Sequence, residues 1–242
     1  MIAKLKKVLY TVDELHPDGD VVVQVSDDGS VQAWSISEYR AACVITRGKH
    51  EIEKMESAVP ASVLRDAKSL SEALARDKTS ALPWGDWRIE RLRRLDKTKR
   101  AAVAIAQVSD IRQIKKLYTK SLTAHKLYCE LEIAEGSIEC VGELGKVSIP
   151  ANLTLPGRIG LNVRYLVEAI KNLVTKDYVG VAIVPYKGTR IFSLASECER
   201  HYIVEMRKRI NCANESRKGN QAGVLQVRHA RRLNDGIVHN SA

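Results

Sequence analysis

Apolar positions recur along this chain with two periods, and the two alternate in a fixed order. Four stretches carry the three-to-four-residue spacing of an amphipathic helix. In the first, Ile2, Leu5, Val8, Leu9 and Val12 fall on one face, with Lys4, Lys7 and Thr11 on the other. The second begins after Pro60, with Val63, Ala67, Leu70 and Leu74 inward and Arg65, Lys68, Glu72 and Arg76 opposite. The third follows Ser109-Asp110, a pair suited to an N-cap. Ile111, Ile114, Tyr118 and Leu122 make its apolar face, flanked by Leu117, and Arg112, Lys115, Lys116, Thr119 and Lys120 make its polar face. In the fourth, Val163, Leu166, Val167, Ile170 and Leu173 point inward, and Arg164, Glu168 and Lys171 outward. The spacing predicts helices over residues 2–15, 61–75, 110–122 and 162–174.

Between the helices the period drops to two, or the chain becomes continuously apolar, as strands require. Val21 to Val25 reads as a strand, Asp27-Asp28-Gly29 as a hairpin turn, and Ser30 to Ser35 as the returning strand. Glu38 to Thr46 makes a third. Lys126 to Ala134, the turn Glu135-Gly136, and Ser137 to Gly142 repeat that pattern further on. Val179 to Pro185, Arg190 to Ala195 and Arg200 to Met206 close the series.

The order is a helix, three strands, a helix and further strands, then the same again. The first helix starts near residue 2 and the third near residue 110, a period of about 108 residues. The expected organisation is α+β: two similar domains, each with two helices packed on antiparallel sheets, at residues 1–95 and 96–210. The boundary falls in the run from Glu90 to Arg100, where Arg91, Arg93, Arg94, Lys97, Lys99 and Arg100 cluster. Residues 211–242 are rich in Gly, Asn, Ser, Arg and His without periodicity, and read as a disordered basic tail. Trp84 and Trp87 read as cover for an apolar edge.

Charge adds a partner to this picture. Thirty-nine Lys and Arg stand against 29 Asp and Glu, a formal charge of +10 over 242 residues. Such an excess favours an anionic partner, above all nucleic acid. The cations concentrate on the polar helix faces, so the candidate phosphate contacts are Lys4, Lys7, Arg65, Lys68, Arg112, Lys115, Lys116, Lys120, Arg164 and Lys171. Side chains of this kind neutralise backbone charge without reading bases. Aromatic residues are only 5% of the chain, whereas single-strand binders set aromatic platforms beside basic grooves; duplex is the expected form.

Enzyme chemistry finds no footing. His16, His50, His125, His201, His229 and His239 form no H-E-x-x-H motif, and neither a Gly-rich phosphate loop nor G-x-S-x-G occurs. Cys198 and His201 supply two potential metal ligands, too few for a site. No cofactor or metal is expected. Cys43, Cys129, Cys140, Cys198 and Cys212 are odd in number and widely spaced, which points to a reducing, cytoplasmic setting and not to a disulfide framework. The start Met-Ile-Ala-Lys-Leu-Lys-Lys lacks the apolar stretch of a signal peptide, and no run approaches a membrane span.

One ordered set of short motifs resembles a known family. Asn162-Val163-Arg164-Tyr165-Leu166, followed by strands and by Tyr202-Ile203-Val204-Glu205-Met206-Arg207, is similar to the last domain of the bacterial DNA sliding clamp, the β subunit of DNA polymerase III. That domain carries a Phe-Asn-x-x-Tyr-Leu helix and a terminal Tyr-x-x-Met-Pro-x-Arg strand. Leu5-Lys6-Lys7-Val8-Leu9, Arg40-Ala41 and Val59-Pro60-Ala61 resemble elements of the preceding clamp domain. The likeness covers about residues 1 to 210.

The resemblance implies a DNA-clamp fold with helices lining a hole and sheets outside. It implies a processivity factor that encircles duplex DNA without sequence preference and tethers DNA polymerase or clamp-loader peptides. With two domains per chain, a six-domain ring implies a homo-oligomer, a trimer favoured over a monomer or weak dimer. Arg40, Ala41, Val204 and Met206 match the family's partner pocket. Glu205 stands where the family has an apolar residue, the following Pro is missing, Ala41 is smaller than the usual Leu, and no room remains before residue 2 for a leading strand. Two other readings stay open: a clamp-like module that binds a replication protein without forming a ring, and a basic nucleic-acid-binding regulator.

Overall fold

The computed structural model describes residues 20–28, 30–36, 39–46, 55–76, 94 and 100–207. The helix expected over 2–15 lies outside the described residues, as do Lys4, Lys7, Trp84, Trp87, most of the basic run 90–100 and the tail 211–242. All described residues belong to one compact unit ending at Arg207.

Twelve antiparallel strands in the order β4-β1-β2-β3-β12-β11-β10-β5-β8-β7-β6-β9 form its frame. They are β1 (Asp20–Val25), β2 (Val31–Ile36), β3 (Arg40–Thr46), β4 (Met55–Pro60), β5 (Ala102–Gln107), β6 (Tyr128–Ala134), β7 (Ser137–Gly142), β8 (Gly145–Leu155), β9 (Gly157–Asn162), β10 (Tyr178–Tyr186), β11 (Thr189–Ala195) and β12 (Glu199–Val204). The two ends repeat one pattern. At one end β1, β2 and β3 form a meander with β4 returning beside β1, and at the other β6, β7 and β8 do the same with β9 beside β6. β3 pairs with β12, which joins the first pattern to the rest of the sheet.

Both predicted hairpins form. Ser26 N–H donates to Ser30 O across the Asp27-Asp28 turn, and Gly136, at φ +71, closes the two-residue turn between Ala134 and Ser137. That left-handed conformation suits glycine, which has no Cβ to clash. β4, β5, β8 and β9 have no counterpart among the individually predicted strands. β8 hides behind Pro150, which weakens a strand reading, although Val147, Ile149 and Ala151 are buried and alternate with exposed Lys146, Ser148 and Pro150. β3 starts at Arg40 rather than Glu38, and Lys126 sits in a 3-10 turn ahead of β6.

The helices depart from simple periodicity. The one expected over 61–75 is two, α1 (Ala61–Asp66) and α2 (Leu70–Arg76), because Ala67 turns extended at φ −67, ψ 141. Among the residues whose side chains are described, Leu64, Ala67 and Ala73 are buried, while Val63 and Leu74, expected inward, are only partly buried. Ser69 Oγ accepts from Glu72 N–H and Glu72 accepts from Lys68 N–H, a reciprocal cap that restarts the helix.

The helix expected over 110–122 starts earlier and stops sooner. α3 (Val108–Ile111) has Gln107 as its cap, without a side-chain bond, and continues as a 3-10 segment from Arg112 to Leu117. A 3-10 helix has three residues per turn. Ile111, Ile114 and Leu117, spaced by three, are therefore aligned and fully buried, while Tyr118 is only partly buried. Leu117 belongs to the core, not its flank. The last helix, α4 (Val163–Lys171), forms as the pattern dictates: Asn162 Oδ1 accepts from Arg164 N–H at 3.0 Å, and Val163, Leu166, Val167, Ala169 and Ile170 are buried.

The main core lies between the helices α3 and α4 and one sheet face, through Ala104, Leu131, Ile138, Ile159, Val181, Phe192 and Ile203. A second cluster places Val21, Val23, Ala33 and Val44 with Leu64 and Ala67. A third lies on the opposite face: Val22, Trp34, Ala41, Cys43, Ala182, Val184, Ile191 and Tyr202, all at most 6% exposed. Trp34 stacks on Tyr202 across β3, with centroids 6.4 Å apart.

Candidate functional site

Two places gather the residues of interest. The first is the polar side of the helices. Lys116, Lys120 and Lys171 are exposed, and Arg112, Lys115 and Arg164 are half-buried. Arg112 Nη2 donates to Leu173 O at 3.5 Å, tying the 3-10 segment to the C-terminal end of α4. Lys120 sits in the turn after the 3-10 segment, so no single helix face holds all four cations. In the first half of the sheet, Arg65 and Lys68 are exposed on and after α1, and Arg76 pairs with Glu72 at 2.5 Å. The Lys68 N–H and the Arg76 guanidinium help hold the Glu72 carboxyl below its ordinary value.

The second place is the junction where β3 meets β12. A hollow with space for about one water is lined by Arg40, Ala41, Ala42, Ala169, His201, Tyr202 and Ile203. Arg40 and Ala41 of the four expected pocket residues line it. Val204 and Met206 do not, and both are half-buried. Arg40 is buried and reaches α4: its Nη1 bonds the Glu168 carboxylate, and its guanidinium lies 4.8 Å from the Tyr165 ring centroid. The same carboxylate accepts from Arg164 Nε at 2.8 Å. The sequence pattern sets Arg164 and Glu168 on one outward helix face, but predicts neither their pairing nor the contact of Glu168 with Arg40, 128 residues away.

Glu205 faces the helix side, where its carboxylate accepts from Arg190 Nε at 3.0 Å, and Arg190 also bonds Arg158 O. Glu205 holds the Arg190 guanidinium's pKa above its ordinary value. Met206 N–H donates to Gly160 O at 2.8 Å. A Cβ at Gly160 would come within 2.3 Å of Met206 O, so only glycine permits that crossing.

The Glu199–His201 pair was not foretold as a unit. Both are buried on one face of β12, with His201 Nε2 3.4 Å from Glu199 Oε2. Glu199 also accepts from Val174 and Thr175 N–H, satisfying the loop after α4. Burial pushes the Glu199 carboxyl up, but the His201 ring and the two N–H groups outweigh it and hold it below its ordinary value. Cys129 and Cys140 are free buried thiols on adjacent strands, and the Cys140 contact together with burial pushes the Cys129 thiol well up. Among the described residues no group of three His, Cys, Asp or Glu could hold a metal, and no helix is long and apolar enough to cross a membrane.

The architecture is that of the DNA sliding clamps. The β chain of DNA polymerase III from Streptococcus pneumoniae TIGR4 is 17% identical, with a TM-score of 0.58 over 85% of this chain and 62% of that one. The DNA polymerase sliding clamp of Bacillus subtilis is 16% identical, with a TM-score of 0.60 over 85% and 62%. A putative DNA polymerase III β subunit from Eubacterium rectale is 10% identical, with a TM-score of 0.61 over 85% and 63%. This chain thus spans less than two thirds of each of those clamps. At such identities the likeness lies in the fold. No protein-family profile and no curated sequence matches the chain.

Proposed function

We propose that this chain is the subunit of a DNA sliding clamp: a cytoplasmic, non-enzymatic processivity factor that surrounds duplex DNA and tethers replication proteins to it. The observation that supports this reading is the repeated four-strand pattern, its two copies linked in one sheet through β12, β11, β10 and β5. Domains assigned to residues 1–95 and 96–210 would each supply one such unit. At the other end β8 pairs with β7 over residues 145–150, and among the described residues no strand pairs with its second edge there. That edge occupies in the second pattern the place that β3 occupies in the first. A second copy adding a strand to β8 would make a head-to-tail contact, and three copies would close six domains into a cyclic trimer.

The duplex would be held loosely by Arg65, Lys68, Arg112, Lys115, Lys116, Lys120, Arg164 and Lys171, and by Lys4 and Lys7, which lie outside the described residues. Partner peptides from a polymerase or clamp loader would enter at Arg40 and Ala41, with Val204 and Met206 alongside. The hollow there is small, so such a peptide has to displace side chains.

A non-ring module is the second reading, and Pro150 favours it. Ala151 N–H donates to Gly136 O, so by antiparallel alternation the backbone of residue 150 faces the open edge. Proline there removes a donor and discourages pairing. Sedimentation over a hundredfold concentration range separates the two: a trimer supports the ring, and a single 27.0 kDa species throughout supports the module. Duplex binding tests the DNA contact in either case. Replacing Lys115, Lys116 and Lys120 by Ala is expected to lower affinity and reduce the salt slope by roughly 0.9 per lost phosphate contact. Unchanged affinity removes the basis for placing that segment at DNA.

A further inference from the structure

Glu168 is the meeting point of two arginines with different surroundings. Arg164 lies one turn before it on the polar side of α4, with its side chain 39% exposed, and donates through Nε to Glu168 Oε1. Arg40 comes from β3, with its side chain 5% exposed, and bonds Glu168 Oε2 while packing on Tyr165. Glu168 itself is only 17% exposed, so solvent screens its charge weakly. Charge drawn toward one arginine is withdrawn from the other.

We propose that Glu168 couples duplex binding to the β3–β12 junction, acting as a positioning residue shared between Arg164 and Arg40. The proposal rests on the reading that α4 faces DNA. A phosphate that engages Arg164 competes with Glu168 for it. The released carboxylate then turns fully to Arg40, which tightens the hold of α4 on β3 and on the wall of the hollow. Linkage makes the effect reciprocal: a junction that holds Glu168 more firmly leaves Arg164 freer for phosphate. Arg40, buried and without DNA contact, thereby sets DNA affinity.

The signs are specific. E168Q removes the competitor, and duplex affinity rises by about twofold, the scale of an i,i+4 ion pair. R40Q leaves Glu168 to Arg164 alone, and affinity falls by a similar factor. In the E168Q background R40Q has no further effect, because its influence runs through that carboxylate.

The test is duplex affinity by fluorescence anisotropy for the full chain, E168Q, R40Q and E168Q/R40Q, with amide hydrogen exchange on the unaltered protein. Saturating duplex is expected to slow exchange at the β3–β12 rungs, such as Val204 N–H to Tyr39 O and Ile45 N–H to Cys198 O. That readout needs no variant, so a poorly folded R40Q does not block it. Duplex binding that leaves those amides unchanged overturns the coupling. So does an R40Q effect that persists in the E168Q background, or an E168Q protein that binds duplex no better. A chain that binds no duplex at low salt overturns the DNA reading itself and the coupling with it. Affinity that responds to the Lys115, Lys116 and Lys120 triple variant but not to E168Q overturns the coupling alone.

Discussion

β3 and β8 hold the same place in the two halves of the sheet, each the last strand of a three-strand meander, yet their sequences are built to opposite ends. β3 reads Arg-Ala-Ala-Cys-Val-Ile-Thr and is buried on both faces from Arg40 to Val44. Both its edges are paired, to β2 and to β12. β8 alternates, with Val147, Ile149 and Ala151 buried and Lys146, Ser148 and Pro150 exposed. Its open edge carries the charge and the proline that discourage unwanted pairing. A strand paired along both edges can be apolar throughout, whereas one with an unpaired stretch of edge stays soluble by alternating apolar and polar side chains.

Proline substitutions probe that contrast most sharply. A42P is expected to destabilise the protein by at least about 1–3 kcal/mol, because proline lacks the N–H and its ring falls inside a strand paired on both sides. S148P, on the open edge, is expected to cost under about 1 kcal/mol in the isolated chain. If β8 receives a second copy, S148P instead abolishes self-association in sedimentation while the urea midpoint barely moves. Equal losses of stability in the two variants would erase the distinction between the edges.

Gly160 tests the far end of the sheet. G160A forces a Cβ against Met206 O and the Tyr128 ring, with an expected cost of about 1–3 kcal/mol for overpacking. Loss of protection at Met206 N–H, with the β1–β4 end unchanged by hydrogen exchange, would locate the damage.

Glu199 gives a pH signature. Its carboxyl lies below the ordinary value of 4.5, so its stabilising contribution is complete above that pH and is lost as pH falls through the folded-state value. E199Q is expected to cost about 1–3 kcal/mol at pH 7, since two backbone N–H groups lose their charged acceptor. Its urea midpoint should fall less steeply than that of the unaltered protein as the solution is acidified below 4.5. Parallel acid profiles would mean that Glu199 is not the group responsible. The smallest effect on stability belongs to the K115A/K116A/K120A variant, which should unfold within about 0.5 kcal/mol of the unaltered chain and differ only in duplex binding.

Much of this frame was written in local periodicity. Alternation fixed β1, β2, β6 and β7, and the turn at Gly136 follows from residue type alone. The pattern of α4 was equally plain, and the clamp fold was implied by the resemblance of the ordered short motifs to that family. What local reasoning blurred were the elements that obey a neighbour instead of a period. The segment after Ser109 reads as an α-helix, but burial of Ile111, Ile114 and Leu117 in one line draws it into 3-10 geometry. β8 is absent from the predicted strands, and the unpaired edge at residues 145–150 that tolerates Pro150 becomes evident only once the sheet is assembled.

The candidate site divides in the same way. The sequence by itself determined the excess of Lys and Arg, the shared polar face of Arg164 and Glu168, and the absence of H-E-x-x-H and G-x-S-x-G motifs, since each is a matter of composition or short spacing. Tertiary structure alone decided that Arg40 meets the Glu168 carboxylate across 128 residues, that Glu199 and His201 are buried together beneath the loop after α4, and that β3 closes on β12 while, among the described residues, β8 leaves one edge unpaired over residues 145–150. Periodicity states which way a side chain points relative to its own element. Which distant element lies opposite depends on how the whole sheet orders its edges, and no local pattern carries that information.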